Sequence, residues 1–329
     1  MTGVQTCALP ILGILDKRDV YKPFNYPQFE DLHRKLYTGF WHPDEVSLDE
    51  DTSDFHFKLT SSEKEIVSRI LKNFTQSEVH VACFWGDFVS SWMKQSEIQN
   101  VARYISGNET IHARAYDLLN TTLGLDDYST LKGDPKLYAR IQMLSGKKAR
   151  GKEDILKQIF TMSVLGEGVC LFSSFITLFA FTKKNLLRGL GQIISWSTLD
   201  EQLHSEVGVI LFNILKKEYG LMTEEMQVEL YAIAHEVVEM EHSLIDRVFE
   251  DSRTDVISKE EIKNYINHKA NKQLKKVGLN KTFKVDKELL KKTEFFDIMI
   301  NGESMVDFFA NKSTEYSKGL IVFDNKVWE

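Results

Sequence analysis

Six side chains of this 329-residue chain have the types and the spacing of a metal-binding set: Glu78, Glu109, His112, Glu167, Glu201 and His204. They run in the order lone Glu, Glu-x-x-His, lone Glu, Glu-x-x-His. A Glu and a His three residues apart lie one turn apart on the same helix face, so both reach a common centre. Each also falls among apolar residues at helical spacing. Glu78 shares a stripe with Val67, Leu71, Phe74, Val81, Trp85, Phe88 and Trp92. Glu109, His112 and Tyr116 follow Ile98, Val101 and Ile105 on successive turns. Glu167 is the only acidic residue between Asp154 and Asp200 and sits in TMSVLGEGVCLFSSF. Glu201 and His204 share a face with Ile194, Gly208 and Leu211.

Such stripes face a core, and a buried ionised carboxylate costs several kcal/mol even after relaxation. Four cannot share one core without positive charge, and no Lys or Arg lies on these stripes. Two divalent metal ions supply that charge. The same ordered set is the ligand pattern of ferritin-like dinuclear proteins, where four helices of a bundle each contribute. The bland alternative, four satisfied ion pairs, lacks its cations. Two further Glu-x-x-His pairs are weaker. Glu30/His33 lies in a short helix near prolines, and Glu239/His242 lies in the acidic stretch HEVVEMEH. Both read as surface or packing residues.

The elements needed to hold this set are long helices. Proline is scarce, at 5 residues, and strict two-residue alternation is rare, so the expected fold class is all-α: a ferritin-like helical bundle with additional helices. Residues 12–60 read as an arm with a short helix near 28–40. Long helices are expected over about 61–94, 97–123, 152–182 and 186–217, with others over about 134–145, 223–250 and 258–275. Gly124 and Gly220 mark two stops. Gly166 and Gly168 weaken a helix around Glu167, and either relieve crowding there or mark a π-bulge. Residues 12–300 are expected to form a single domain, followed by a polar tail over 301–329. The leading MTGVQTCALPI resembles translated sequencing adapter, so residues 1–11 are expected to be a non-native or disordered leader without function.

Composition narrows the class. With 43% apolar and 27% charged residues the sequence suits a soluble globular protein with a core. A net charge of −7 argues against nucleic acid as a partner. Three distant cysteines make neither a disulfide framework nor a zinc site, which fits a reducing cytoplasm. Cys83 and Cys170 read as small core residues. The apolar run Gly168–Thr182 is 15 residues long, short of the roughly 20 that span a bilayer. Extending it takes in Glu167, so a buried helix and no membrane are expected. Asn-x-Ser/Thr matches at Asn73, Asn108, Asn120, Asn280 and Asn311 are set aside, since Asn108 adjoins a proposed ligand. Gly189-Leu190-Gly191 is too short for a nucleotide loop.

YKPFNYP, FWHPDEV, NETIHARAY, WSTLDEQLH and TEYSKG resemble, in order and over about residues 14–319, the class I ribonucleotide reductase small (β) subunits. The resemblance implies a homodimer that works with a large (α) subunit to convert ribonucleotides to deoxyribonucleotides. It implies the six ligands named above, activated by dioxygen or superoxide. Tyr116 matches the family's radical tyrosine, and Trp41 the tryptophan that starts electron transfer. Asp200 matches the carboxylate joining that tryptophan to a histidine ligand, here His112. Tyr316 matches a mobile tyrosine that relays the radical between subunits, and the extreme C-terminus would dock on the large subunit. Many members have Asp as the first ligand. Glu78 and the following FWG look more like the dimanganese subgroup, class Id, which keeps its oxidising equivalent on the metals. Tyr116 is therefore either the radical site or a neighbour of the metals, and the pair is dimanganese, di-iron or mixed. Two rival readings share the fold. An R2-like ligand-binding oxidase needs a Val–Tyr crosslink where this sequence has His80 and Met162. A metal-storage ferritin has no use for the arm, Trp41 or the tyrosine-bearing tail.

Overall fold

The computed structural model describes residues 13–125, 128 and 131–300; the leader with Cys7 and the tail with Tyr316 lie outside the described residues. No strand occurs among the described residues, as the helical periodicity requires. The arm carries α1 (Gln28–Thr38) and α2 (Asp49–Ser53). Next comes α3 (Ser61–Cys83), continued by a π-helical segment, Phe84–Val89, and by α4 (Ser90–Trp92). α5 (Ser96–Thr122) returns along α3. After α6 (Pro135–Leu144), one continuous rod is made of α7 (Lys152–Ile159), a π-helical segment, Phe160–Cys170, and α8 (Leu171–Lys183). α9 (Arg188–Glu218) packs against that rod, and α10 (Glu224–Val248) and α11 (Lys259–Lys276) cover it. Two short helices, α12 (Lys287–Lys292) and α13 (Glu294–Ile300), end the described part of the protein. α2, α12 and α13 are too short to show a periodic pattern in the sequence.

Local chemistry sets the helix ends. The Thr60 hydroxyl accepts the Glu63 amide while the Glu63 carboxylate accepts the Thr60 amide, a capping box that starts α3. Gly124 and Gly220 adopt φ of +70° and +62° just beyond α5 and α9, which residues with a side chain tolerate poorly. The start of α9 has no side-chain cap of its own. Asp51 and Asp54 of the arm serve instead, accepting the amides of Leu187, Gly189 and Leu190 at 2.9, 2.9 and 2.7 Å. A carboxylate at the positive end of a helix is favourable. Burial nevertheless lifts the Asp51 carboxyl to about 6, against the pull of those donors. The arm therefore fixes where α9 begins, and α9 carries two of the six candidate ligands.

The π-helical segments change the register. An i to i+5 turn holds one residue more than an α-turn. The stripe expected to continue through Phe88 and Trp92 shifts, and Val89 and Met93 take the fully buried places. Cys83, expected in the core, is exposed, because it lies on the opposite side of the helix from Val81 and Trp85; Cys170 is buried. The second segment spans Gly166, Glu167 and Gly168, as the paired glycines suggest. A Cβ on Gly168 would overlap the Gln273 side chain of α11. At the end of the segment, Arg140 donates to the Cys170 carbonyl at 3.0 Å and pairs with Glu241 through bonds of 2.8 and 2.7 Å. HEVVEMEH is thus not wholly a surface stretch: Glu241 is fully buried, while Glu239 is exposed and His242 half-buried. The rod Lys152–Lys183 is apolar enough to cross a membrane, but its apolar window is entirely buried inside the protein.

Gly189 lets the arm approach α9. A Cβ there would come within 2.6 Å of the Ser47 carbonyl and 2.8 Å of an Asp51 carboxylate oxygen. Gly189→Ala is expected to lower unfolding stability by about 1–3 kcal/mol through overpacking against backbone. Urea titration of the variant checks this; an unchanged midpoint would refute the arm's capping role.

Candidate metal centre

α3, α5, the Phe160–Cys170 segment and α9 bring all six candidate ligands to one place, each fully buried. Their donor atoms form two overlapping groups. Glu78, Glu109, His112 and Glu201 make one, and Glu109, Glu167, Glu201 and His204 the other, with the atoms of each group within 4.8 Å of one another. Glu109 and Glu201 belong to both groups, so the six residues together would suit a pair of divalent cations.

The donor atoms also fit cations better than they fit each other. His204 Nδ1 lies 2.7 Å from Glu109 Oε1, yet neither atom has a hydrogen bond of proper geometry. Both oxygens of Glu78, both of Glu109, one each of Glu167 and Glu201, and His204 Nδ1 lack hydrogen-bond partners. Buried polar atoms are rarely left unpaired. Here seven converge on one point, each with a lone pair to offer. Four carboxylates and two neutral imidazoles balance the charge of two divalent ions. Arg140, the only fully buried arginine among the described residues, is committed to Glu241.

Outer partners orient the ring of each histidine. His112 and His204 both turn Nδ1 toward the cluster. His112 Nε2 meets Asp200 Oδ2 at 3.1 Å, and His204 Nε2 meets Asn108 Oδ1 at 3.1 Å. Those acceptors keep the ring proton on Nε2 and leave Nδ1 free to ligate. Asn108 also donates to Asp200 at 3.3 Å, joining the two histidine supports. Trp85 Nε1 donates to Glu167 at 2.6 Å. Sequence reading missed both Asn108 and Trp85. Asn108 directly precedes a proposed ligand on a buried face, which was the available signal; Trp85 looked like one more core aromatic.

The aromatic residues stand as follows. Trp41, 4% exposed, stacks on His112 with ring centroids 5.7 Å apart and donates its Nε1 proton to Asp200 Oδ2 at 2.8 Å. One carboxylate oxygen thus receives both Trp41 and His112. Tyr116 is fully buried and stacks on Phe74 at 4.8 Å, 6.5 Å from the His112 ring. Its hydroxyl donates to no carboxylate or imidazole; the Ser197 hydroxyl is its polar neighbour. Burial, reinforced by the charge of Glu78, pushes the phenol far above its ordinary range, so it stays neutral. Glu30, His33, Glu239 and His242 do not join the cluster; His33 instead meets the rings of Tyr37 and Tyr104 edge-on.

The family model described as "Ribonucleotide reductase, small chain" matches residues 18–289. The protein belongs to this family. It is 28% identical over 344 residues to the 376L protein of Invertebrate iridescent virus 6, named as a probable ribonucleoside-diphosphate reductase small subunit; the match covers 93% of the present sequence and 96% of the viral one. It is 25% identical to a ribonucleoside-diphosphate reductase small chain of Arabidopsis thaliana, over 95% of the present sequence and 89% of the plant one. Its fold is shared with the ribonucleotide reductase R2 subunit of Clostridium botulinum, at a TM-score of 0.76 and 23% identity, covering 84% and 88% of the two proteins. The dimanganese(II) NrdF of Streptococcus sanguinis aligns at a TM-score of 0.70 and 20% identity, over 83% of the present protein and all of the other. The small subunit is accordingly an oxidoreductase component with the ferritin-like helical fold that its helix pattern implies, and its buried carboxylate–histidine cluster is suited to a dinuclear metal site.

Two outcomes are expected. Glu167→Ala removes a ligand from one of the two groups, so metal analysis should find fewer than two ions per subunit; full dinuclear occupancy would overturn the ligand assignment. Metal uptake should also release protons. Burial raises the carboxyls of Glu78 and Glu167, while neighbouring carboxylates, Glu109 foremost, overcome burial to raise both imidazoles well above their usual range. Burial opposes the charge on Glu109, but His204 and His112 hold its carboxyl down at about 2. Cations compete with the protons on the raised groups, so affinity falls as pH falls. Calorimetry in buffers of different protonation enthalpy checks the sign; uptake without proton release would contradict it.

Proposed function

We propose that this small subunit generates the oxidising equivalent for ribonucleotide reduction, as a cytoplasmic homodimer working with a separate large subunit. The observation that carries the reading is the unbroken contact line from the cluster outward: His112, Asp200 Oδ2, Trp41. Glu78, Glu109, His112, Glu167, Glu201 and His204 would hold two metal ions, which supply one-electron redox chemistry when bound. The protein's part is insulation and routing. Asp200 holds the Trp41 Nε1 proton on one side and the His112 ring on the other, so an electron leaving Trp41 keeps its proton within one hydrogen bond. The polar tail over 301–329, with Tyr316, would dock on the large subunit and relay the equivalent.

The metal pair is proposed to be manganese. Glu78 as first ligand and the FWG that follows favour this, and the fold-sharing protein from S. sanguinis is named as dimanganese. The equivalent is proposed to rest on the metal pair, with Tyr116 as a neighbour. Oxidising a phenol to a neutral radical requires a base to take its proton, and no carboxylate or imidazole accepts from the Tyr116 hydroxyl, whose polar neighbour is the weakly basic Ser197 hydroxyl. The oxidase alternative is not supported: His80 and Met162 line one surface pocket, but they cannot form the ether crosslink that chemistry uses.

The test is electron paramagnetic resonance after anaerobic loading with manganese or with iron, then exposure to dioxygen or superoxide. A manganese multiline without a narrow organic signal is expected. Tyr116→Phe should retain that signal and the activity measured with the large subunit. A narrow organic signal lost in Tyr116→Phe would move the equivalent to the tyrosine. Silence with both metals and both oxidants would overturn the radical-generating reading.

A further inference from the structure

Trp41 is 4% exposed, so a partner or a solution reductant has almost no direct access to it. A second indole lies against it. Trp196 of α9 has its ring centroid 5.3 Å from that of Trp41, tilted by 42°, and is itself only partly buried. The sequence explains the placement. Trp196, Asp200 and His204 are four residues apart in turn, so they share one face of α9. The helix that supplies the Asp200 carboxylate to Trp41 thus also supplies an aromatic ring one turn closer to the surface. The nearby Tyr104 differs: its ring packs on His33, and its hydroxyl donates to the Leu36 carbonyl.

We propose that Trp196 is the redox relay through which Trp41 exchanges electrons with the outside of the protein. This deepens the function proposed above and rests on Trp41 being oxidised there. Electronic coupling falls steeply with distance, so an intervening easily oxidised ring replaces one long transfer with two short ones. In the step itself, one electron passes from the Trp196 indole to the oxidised Trp41 indole. Trp41 regains its closed-shell ring, with its Nε1 proton on the hydrogen bond to Asp200. Trp196 is left short of one electron, which an external one-electron donor supplies. Indole is easier to oxidise than benzene, so phenylalanine at 196 cannot serve, and tyrosine serves poorly without a proton acceptor.

The experiment uses the full-length protein, metal-loaded and oxidised, mixed with hexaammineruthenium(II) as a small outer-sphere reductant. The decay of the oxidised-state resonance or absorption signal is followed by stopped flow. Metal content and the starting spectrum are measured first in every variant. Trp196→Phe is expected to retain both yet slow the decay by about tenfold or more. Trp196→Tyr should fall between it and the parent, and Tyr104→Phe should match the parent. If Trp41→Phe slows the decay and Trp196→Phe does not, the relay is refuted and the Trp41 route stands. If neither slows it, the route through Trp41 fails and the relay with it. Should Trp196→Phe lose metal, Trp196→Tyr and Trp196→Leu carry the comparison, and parent-like decay in Trp196→Leu refutes the relay.

Discussion

Four carboxylates are buried together in an apolar core, and that constraint organises the molecule. Water cannot solvate Glu78, Glu109, Glu167 and Glu201, and among the described residues none of them is paired with a lysine or arginine. Their charges must be met by cations or by protons, and the unpartnered oxygens and the His204 Nδ1 atom converge as cation ligands do. Four helical elements have to deliver these groups to one point, so the packing of α3, α5, α9 and the segment Phe160–Cys170 is set by the site as much as by apolar burial.

Rigid support for the ligands comes from a ring of polar contacts just outside them. Asp200 and Asn108 fix the two imidazoles, and Trp85 fixes Glu167. Asp200 has a second duty toward Trp41, which couples the orientation of a ligand to the start of an electron route. A single change at Asp200 would therefore disturb two things together, whereas a change at Asn108 touches the histidine supports alone.

Farther out, the backbone itself is adapted. The π-helical segment around Glu167 ends at Cys170, whose carbonyl is taken up by Arg140. Arg140 also donates to Asn73 of α3, at 3.1 Å, and to Glu241 of α10, so the helices bearing the two lone glutamates meet through one buried ion pair. Buried pairs of this kind add little net stability but are costly to break. The arm plays a comparable part for α9, where Asp51 and Asp54 accept the first free amides in place of a local cap.

By itself, the sequence determined the helical class, the long bundle helices, their glycine stops, and the six charged or imidazole residues that meet in the core. These follow from local rules: apolar residues recur at the helical period, and a carboxylate placed on such a stripe has to be buried with it. The resemblance in FWHPDEV, NETIHARAY and WSTLDEQLH placed Trp41, Tyr116 and Asp200 beside that set, and the structure brings them there. Only the tertiary structure decided the rest. The slip that seats Val89 and Met93 in place of Phe88 and Trp92 depends on a π-turn that no apolar period announces. The pairing of Arg140 with Glu241 joins residues 101 positions apart, and that of Asp51 with the start of α9 joins residues up to 139 apart. The roles of Asn108, Trp85 and Trp196 depend on which atoms lie across from them. Spacing along a polypeptide specifies what shares a face; what stands opposite that face is fixed only when the helices pack.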